Sequence, residues 1–390
     1  MPPENSSKKI EVAIAGCGAI SAVGCGVESL HSALRSNSSG LRANERFQNP
    51  RCQSDIVGAA PLNGNSDDDP AYTLATYALR EAREQAQDSI ANISPERIGL
   101  VLSTTKANIE ALERLSDGRS CSDSAKRHLQ ADLLAVDLAA KHGAHGSVQT
   151  ISVACVSGLI ALMQGAKLIQ RGAADAVMVV GVDHLSQFVV TGFTTLKAID
   201  PNGCRPFDRD RCGLSPGEAG AAIVLVRGDL APNSSIKIRG WGSSNDANHM
   251  TGPSRDGFGL AQAIRAALNT SDLNAGEINY VNAHGTGTPY NDAMESAALK
   301  TIFGETCPPV SGLKGMLGHA LGAAGVIETV ACVLAMQNNF LPGTPRLNDP
   351  ADFAPASIVK ESRSVERLNY VLKLNTGFGG MNGALILSHG

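Results

Sequence analysis

Two stretches of this chain have the spacing of helices, yet they are apolar on almost every side. The first covers residues 157–171, and the second, rich in Gly and Ala, covers residues 321–337. A helix without a polar face has to be covered all round by other elements. Each stretch also follows a predicted strand and a turn of small residues. The chain is therefore expected to fold in several layers, with these two helices inside.

Segments of strand and helix type alternate through the rest of the chain, which predicts the α/β class. Strands are predicted at 9–15, 98–103, 149–153, 176–182, 220–226, 236–240, 278–282, 369–374 and 383–387. Further helices are predicted at 27–35, 71–90, 107–142 (with a break at 116–124) and 259–268. Residues 48–69 are predicted to form a loop and 16–18 a Gly-rich turn. The repeated strand, turn and apolar helix are compatible with a duplicated unit.

The composition narrows the class of protein. Hydrophobic residues make up 43% of the chain, charged residues 18% and aromatic residues only 4%, so a large core is easily built. The net charge of −4 is not that of a nucleic-acid-binding domain. The nine cysteines lack the paired spacing of disulfide frameworks or zinc sites. No apolar run approaches the roughly 20 residues of a membrane span, and no signal peptide is apparent. We expect a soluble cytoplasmic protein with free thiols.

A thiol stands between a predicted strand and the first apolar helix. Cys155 lies in the sequence SVACVSG, residues 152–158. The positive end of the following helix dipole favours a thiolate, which is the form that attacks thioesters. Small neighbours at Ala154, Ser157 and Gly158 leave room for a substrate. The alternative interpretation is a structural cysteine, because buried cysteines are common and mostly unreactive.

A second motif, AHGTGTP at residues 283–289, follows the end of a predicted strand. Its glycines let a ligand approach the backbone, and the hydroxyls of Thr286 and Thr288 can bond to amide groups. A turn containing one histidine is more often structural, and the threonine pair is what makes His284 a candidate for chemistry.

The remaining motifs lie nearer the C-terminus. The segment SGLKGMLGH, residues 311–319, places Lys314 and His319 at the start of the second apolar helix. A charge at the edge of so apolar a segment needs a partner, and Glu328 on the same helix can provide it. The Gly-rich turn NTGFGGMN, residues 375–382, contains Phe378 and has backbone amides that could donate to an oxyanion. A plain hairpin is the alternative there.

Taken together, these motifs resemble the β-ketoacyl synthases of the thiolase-like superfamily, and most closely the elongating type II enzymes. The matches occur in the family's order: ACVS at 154–157, HGTGT at 284–288, Lys314 with GH at 318–319, and GFGG at 377–380. Secondary signatures also agree, namely RPFD at 205–208, GEAG at 217–220 and the segment 246–253. The resemblance extends over residues 12–387, nearly the whole chain.

The resemblance implies a thiolase-like, five-layered αβαβα fold of two similar halves. Residues 1–228 would form the half with the nucleophile, and residues 229–390 the half with both histidines, with 229–235 as the linker. The implied partner is an acyl carrier protein, which itself carries the phosphopantetheine, so neither a cofactor nor a metal is expected. The family is usually homodimeric, and heterodimers occur in polyketide pathways.

The resemblance also implies a reaction, the decarboxylative Claisen condensation of an acyl-enzyme with a malonyl thioester on the carrier protein. Cys155 would take the acyl chain, and the backbone amides of Cys155 and Phe378 would form the oxyanion hole. His284 and His319 would flank the thiol and assist loss of carbon dioxide, while Lys314 would orient His319. Such an enzyme can serve fatty-acid, specialised lipid or polyketide synthesis.

Other family positions imply how substrate is bound. Thr286 and Thr288 would hydrogen-bond the phosphopantetheine arm, and Phe378 would control access to the thiol. Arg205 matches a position that meets the carrier protein's phosphate, for which a guanidinium is well shaped. Glu328 would belong to the same site through its pairing with Lys314.

Four departures from the family pattern bear on the chemistry of the pocket. Thr376 replaces a frequent Phe, Met381 a usual Thr, Cys212 a typical Asp, and Asp183 a usual Glu. They leave the acyl chain length and the pathway open.

Two other functions remain open from the sequence. One is a thiolase-type enzyme that acts on coenzyme A thioesters, and the other is a chain-length-determining partner subunit. The first usually needs a second cysteine near the C-terminus, where this chain has none after Cys332. The second commonly lacks the nucleophile, which is present here as Cys155.

Two further patterns are rejected. GCGAIS at residues 16–21 lacks the third Gly of a dinucleotide-binding turn. His142 and His145 lie far from any cysteine pair, and a solvated loop is preferred there to a zinc site.

Overall fold

The alternation of strands and helices is present in the computed structural model, which describes residues 10–46, 56–62, 68–232 and 234–390. Its strands are β1 (Val12–Ser21), β2 (Gly24–Cys25), β3 (Arg42–Ala43), β4 (Ile56–Val57), β5 (Ile98–Ser103), β6 (Val148–Ile151), β7 (Ala176–Asp183), β8 (Ala219–Arg227), β9 (Ile236–Asn245), β10 (Tyr280–Asn282), β11 (Val310–Ser311), β12 (Phe340–Leu341), β13 (Arg363–Ser364), β14 (Tyr370–Gly377) and β15 (Met381–His389). Its α-helices are α1 (Val27–Ser36), α2 (Pro70–Gln85), α3 (Gln87–Ile90), α4 (Ile109–Ser116), α5 (Asp123–Arg127), α6 (Ala131–His142), α7 (Ser157–Gln170), α8 (Gln187–Thr195), α9 (Phe258–Ser271), α10 (Pro289–Phe303), α11 (Lys314–Leu317) and α12 (Ala324–Gln337).

The long strands form two arrays that repeat one topology. The order is β1-β8-β7-β5-β6 in the N-terminal half and β9-β15-β14-β10-β11 in the C-terminal half. In each array the first two pairings are antiparallel and the next two are parallel. The arrays meet where Val12 and Ala13 of β1 pair with Ile238 and Lys237 of β9. The repeat confirms the predicted α/β class with two similar halves.

The two apolar helices lie between the arrays. In α12 every residue from Ala324 to Met336 is buried, and α12 packs on α7 and on strands of both halves. The outer face of the N-terminal array is covered by α2 and α6, and that of the C-terminal array by α9 and α10. The five layers therefore follow the predicted αβαβα order, with the helices that lack a polar face at the centre.

The predicted turn at Gly16 and Gly18 is wrong, because β1 runs straight through it to Ser21. A Cβ on Gly16 would lie 2.2 Å from the carbonyl oxygen of Ala82, and one on Gly18 would lie 2.0 Å from that of Ala78. The two glycines therefore let α2 pack directly on the strand. They form no phosphate-binding turn, which agrees with the rejection of a dinucleotide site.

Other differences from the predicted elements are small. The predicted helix at 71–90 is divided into α2 and α3, and the predicted 107–142 helix into α4, α5 and α6. Most of the predicted loop at 48–69 lies in residues 47–55 and 63–67, outside the described residues. The predicted linker at 229–235 falls between β8 and β9. No helix in the described part of the chain is long and apolar enough to cross a membrane.

Glycines permit the close contact between the two central helices. A Cβ on Gly325 would lie 2.4 Å from the backbone nitrogen of Leu159. We expect Gly325→Ala to lower the free energy of unfolding by about 1–3 kcal/mol, since an added methyl group would force α7 and α12 apart. Denaturant unfolding measures this change. Gly192→Ala in α8 is the matched control, because nothing lies within 4 Å of its added Cβ. Equal stability of the two variants would contradict the tight packing.

Candidate active site

Cys155 lies in a tight turn between β6 and α7. Its neighbour Ala154 has a φ of 46°, in the left-handed region that residues with a Cβ rarely adopt. The Ser157 hydroxyl accepts a hydrogen bond from the Val153 amide (2.7 Å) and donates one to the carbonyl of Ala154 (2.6 Å). These bonds hold the turn so that the sulfur, in a residue only 8% exposed, lies just ahead of the α7 N-terminus.

Two histidines from the C-terminal half face this sulfur. His319 Nε2 lies 3.0 Å from Cys155 Sγ, and the His284 and His319 rings are edge to face with centroids 5.2 Å apart. The sulfur and one nitrogen from each ring all lie within 4.8 Å of one another. The His319 amide donates to the Ser215 carbonyl, and the His319 carbonyl accepts from the Gly217 amide. The structure thus brings the three predicted residues together.

The orientation of His284 is set by two donors. Lys314 Nζ lies 3.1 Å from His284 Nδ1, and Asn375 Nδ2 lies 2.9 Å from the same atom. Because both groups donate, Nδ1 accepts, and the imidazole hydrogen is on Nε2. Lys314 was predicted to orient His319. The structure corrects that prediction, because the Lys314 ammonium contacts His284 and the Glu328 carboxylate (2.6 Å) instead.

The electrostatics keep these groups uncharged at rest. Burial raises the pKa of the Cys155 thiol to about 12, although Lys314 acts in the opposite direction. Burial and the nearby Lys314 hold the pKa values of His284 and His319 well below the usual range. The thiolate expected from the helix N-terminus is therefore not supported, because burial disfavours the charged form of this thiol. The site is better described as a neutral thiol beside a neutral imidazole that can accept its proton.

A pocket of about 400 Å³ leads to the sulfur. Its walls include Thr286 and Thr288, whose hydroxyls are 2.8 Å apart. Phe378, 37% exposed, also lines it and packs on Phe193 with ring centroids 6.0 Å apart. The backbone amides of Cys155 and Phe378 both lower the pKa of the thiol, which places them beside the sulfur, and their role as an oxyanion hole stays a prediction. The pocket thus combines an accessible thiol, two imidazoles and two amide donors.

Comparison with known families identifies this arrangement. The N-terminal domain model of β-ketoacyl synthase matches residues 9–231, and the C-terminal domain model matches residues 236–348. The chain belongs to the β-ketoacyl synthase family. It is a ketosynthase, an acyltransferase-type condensing enzyme.

Relatives of this ketosynthase come from two kinds of pathway. The ketoacyl synthase alpha subunit of the tetracenomycin polyketide synthase from Streptomyces glaucescens is 34% identical, over 82% of this chain and 81% of that protein. The 3-oxoacyl-[acyl-carrier-protein] synthase 2 of Vibrio cholerae is 31% identical, over 97% of this chain and 99% of that protein. The solved ishigamide ketosynthase/chain length factor has a TM-score of 0.91 and 29% identity, covering 98% of this chain and 100% of its own.

Two residues predicted to bind substrate lie elsewhere. Arg205 is not among the described residues that line the pocket, and its guanidinium is bonded to Asp200 (3.4 Å) and to the Asp210 carbonyl (2.7 Å). Glu328 is buried behind the imidazoles and pairs with lysines. Glu328 is therefore not among the described residues that line the pocket. Lys197 is the lysine that does line the pocket.

The four departures from the family pattern have distinct locations. Thr376 donates to the Asn291 side chain (2.7 Å) in the pocket wall, and the exposed Cys212 lines the same pocket. The Asn245 side-chain amide donates a hydrogen bond to the Met381 sulfur (3.0 Å) beside the Gly-rich turn. Asp183 is fully buried and accepts from the backbone amide of Gly322 (2.7 Å), just after His319. Thr376 and Cys212 are thus the departures that alter the pocket surface.

Sequence reasoning missed two buried ionisable groups behind the imidazoles. Glu295 accepts the backbone amides of His284 (2.6 Å) and Gly285 (2.7 Å), and burial, with Asp292, raises the pKa of Glu295 to about 7. Lys373 reaches Glu328 from β14. A lysine within the otherwise apolar run VLKL, residues 371–374, was the available signal for Lys373.

Proposed function

We propose that this ketosynthase joins an acyl group held on Cys155 to a malonyl unit held on an acyl carrier protein, with loss of carbon dioxide. The observation that carries the proposal is the 3.0 Å contact between Cys155 Sγ and His319 Nε2 beside His284 at the end of the pocket. One imidazole can take the thiol proton, and both can donate to a developing enolate.

The first half-reaction loads the thiol. The Cys155 sulfur attacks the acyl thioester carbonyl as its proton moves to His319 Nε2. The carbonyl electrons move onto oxygen, where the amides of Cys155 and Phe378 stabilise the negative charge. Collapse expels the carrier thiolate, which takes back the proton. A Cβ on Gly377 would lie 3.2 Å from the backbone nitrogen of Cys155. Because Gly377 has no Cβ, the Gly-rich turn can lie close to the backbone of Cys155.

The second half-reaction forms the carbon–carbon bond. A malonyl thioester places its carbonyl oxygen near the two imidazoles, and the carboxylate leaves as carbon dioxide. The electron pair passes to the thioester oxygen, where the Nε2–H of His284 stabilises the enolate, joined by His319 once its ring hydrogen has moved from Nδ1 to Nε2. The enolate carbon then attacks the acyl-Cys155 carbonyl. Expulsion of the Cys155 sulfur, which takes up a proton from water, releases the lengthened chain on its carrier.

We propose that this chemistry needs neither a metal nor an organic cofactor. Cys155, His284 and His319 are spaced so that they could also ligate a soft cation. Two buried ammonium groups, Lys314 and Lys373, stand against one Glu328 carboxylate behind them. That excess of positive charge opposes cation binding. The phosphopantetheine required for the reaction would be part of the carrier protein.

The pocket wall suggests how the carrier's arm is bound. The paired hydroxyls of Thr286 and Thr288 can donate to and accept from the amides of a pantetheine. Lys197 lines the same pocket and can meet the phosphate, a role the sequence predicted for Arg205. Phe378 and Phe193 lie side by side on the wall, where movement of the Phe378 ring would change access to the thiol.

The subunit assembly is proposed from relatives. One solved relative is titled as a type II polyketide acyl-carrier protein in complex with its ketosynthase, and another as a ketosynthase in complex with its chain length factor. Because Cys155 and both histidines are present, this chain fits the catalytic subunit and not the silent one. We propose a dimer, with either a second copy or a chain length factor, that acts in the cytoplasm. Free thiols at each of the eight described cysteines are consistent with that compartment.

The test is to supply a malonyl-loaded carrier protein with a carboxyl label and an acyl thioester as primer. The expected result is one labelled carbon dioxide per β-ketoacyl product. Coenzyme A thioesters without a carboxylate form the control, and no condensation is expected with them. Condensation of acetyl units without decarboxylation would favour the thiolase alternative, and failure to acylate Cys155 would favour the silent-subunit alternative.

A further inference from the structure

A second lysine is buried behind the imidazoles and shares the carboxylate of Glu328 with Lys314. Lys373 is fully buried on β14, and its Nζ lies 2.8 Å from Glu328 Oε2. Lys314 Nζ lies 2.6 Å from the other oxygen, Oε1. Each carboxylate oxygen thus has its own ammonium group, and two positive charges stand against one negative charge.

Such an arrangement is hard to explain by stability alone. Buried ions lose their hydration, and replacing a buried ionic group with an apolar one of similar volume is often neutral or stabilising. An uncompensated buried cation is costlier still. The location offers a different explanation. Lys373 and Asn375 alternate on β14 and so project from the same face, and Asn375 Nδ2 contacts both His284 Nδ1 (2.9 Å) and Glu328 Oε2 (3.4 Å).

We propose that Lys373 is a second positioning lysine of the condensation centre, which shares Glu328 with Lys314 and keeps the net charge behind both imidazoles positive, so that they remain uncharged hydrogen-bond donors. The inference rests on the decarboxylation assigned above to His284 and His319. It adds a residue that acts through Glu328 and through its charge and does not touch substrate.

The effect on the imidazoles follows from simple electrostatics. Burial, the Lys314 charge and the Lys373 charge all lower the pKa values of His284 and His319. A protonated imidazole beside two buried ammonium groups would add a third positive charge, which the site disfavours. The same excess charge would stabilise the negative enolate as carbon dioxide leaves.

The other ionisable groups around the imidazoles have local partners of their own, and burial raises the pKa of one of them, Glu295, to about 7. Glu295 on α10 accepts the amides of His284 and Gly285 and the Asn291 side chain. Asp183 pairs with Lys106. Asp292 accepts hydrogen bonds from the backbone amides of Phe207 and Gly287. The Cys155 thiol is neutral, because burial raises its pKa. Lys373 therefore supplies the second ammonium group on the single Glu328 carboxylate.

The experiment measures the pH dependence of decarboxylation in Lys373→Met, with Lys373→Gln as a second neutral variant. Loss of the cation raises the imidazole pKa values, so at a given pH more imidazole is protonated. The acid limb of the rate should therefore move upward by about one pH unit. The rate at neutral pH should fall on the order of 10-fold, because less positive charge then stabilises the enolate. Acylation of Cys155 at alkaline pH should change little, since the imidazoles are neutral there in the wild type and in both variants.

The double variant Lys373→Met/Glu328→Gln removes one charge of each sign and so restores the net charge. Its acid limb should return toward that of the wild type even if its rate stays low. Thermal unfolding and the extent of Cys155 acylation check that each variant is folded. An acid limb that stays in place in both Lys373 variants would overturn the proposal and leave Lys373 a structural residue. A wild-type enzyme that releases no carbon dioxide would instead overturn the proposed function.

Discussion

Replacing Cys155 by Ala is expected to abolish condensation, with a loss on the order of 10⁴-fold or more, as for other enzymes that lose their nucleophile. No other described cysteine lies within reach of both imidazoles, so no acyl-enzyme should form. Mass spectrometry after incubation with an acyl thioester measures the adduct, and product formation measures turnover. Pocket shape should be unchanged, because the substitution removes one atom from a buried turn.

The matched control is Cys212→Ala, which removes an exposed thiol from the wall of the same pocket. It should keep most of the activity and the full acyl adduct on Cys155. Alkylation with iodoacetamide is a poorer probe, because burial raises the pKa of the Cys155 thiol to about 12 while Cys25 and Cys212 are exposed. An acyl adduct on Cys212 in the wild-type enzyme would remove Cys155 from the mechanism.

Removing either imidazole should slow decarboxylation by on the order of 10²–10³-fold, the cost of losing one oxyanion donor. The two variants should differ in acylation. His319→Ala should also acylate slowly, because His319 Nε2 is the proton acceptor 3.0 Å from the sulfur. His284→Ala should acylate nearly normally, because its hydrogen bonds run to Lys314 and Asn375. Single-turnover acylation and carbon dioxide release measure the two steps separately.

His284→Gln is the matched variant for this pair. Its amide can place a donor near the position of Nε2, so it should retain more decarboxylation than His284→Ala. Wild-type acylation by His319→Ala would show that another group takes the thiol proton. Undiminished carbon dioxide release from either alanine variant would exclude that imidazole from the second half-reaction.

The amino-acid sequence by itself determined which side chains the proposed chemistry uses and roughly how the chain is layered. Cys155, His284 and His319 each stand in a short motif at the end of a strand or the start of a helix, where local rules of chain geometry apply. The absence of a polar face on 157–171 and 321–337 predicted that both helices are interior. Motifs and helix faces depend on residues that are close together in the chain, so they can be predicted from the sequence.

The tertiary structure alone decided which group faces which. That Lys314 contacts His284, that Lys373 reaches Glu328, and that Arg205 turns away from the pocket all depend on how β14 and α12 pack across the middle of the molecule. The raised pKa of the Cys155 thiol was also decided there, because packing buries the sulfur. Distances of a few ångström between elements remote in sequence, and the exclusion of water around them, are set by packing and not by local pattern.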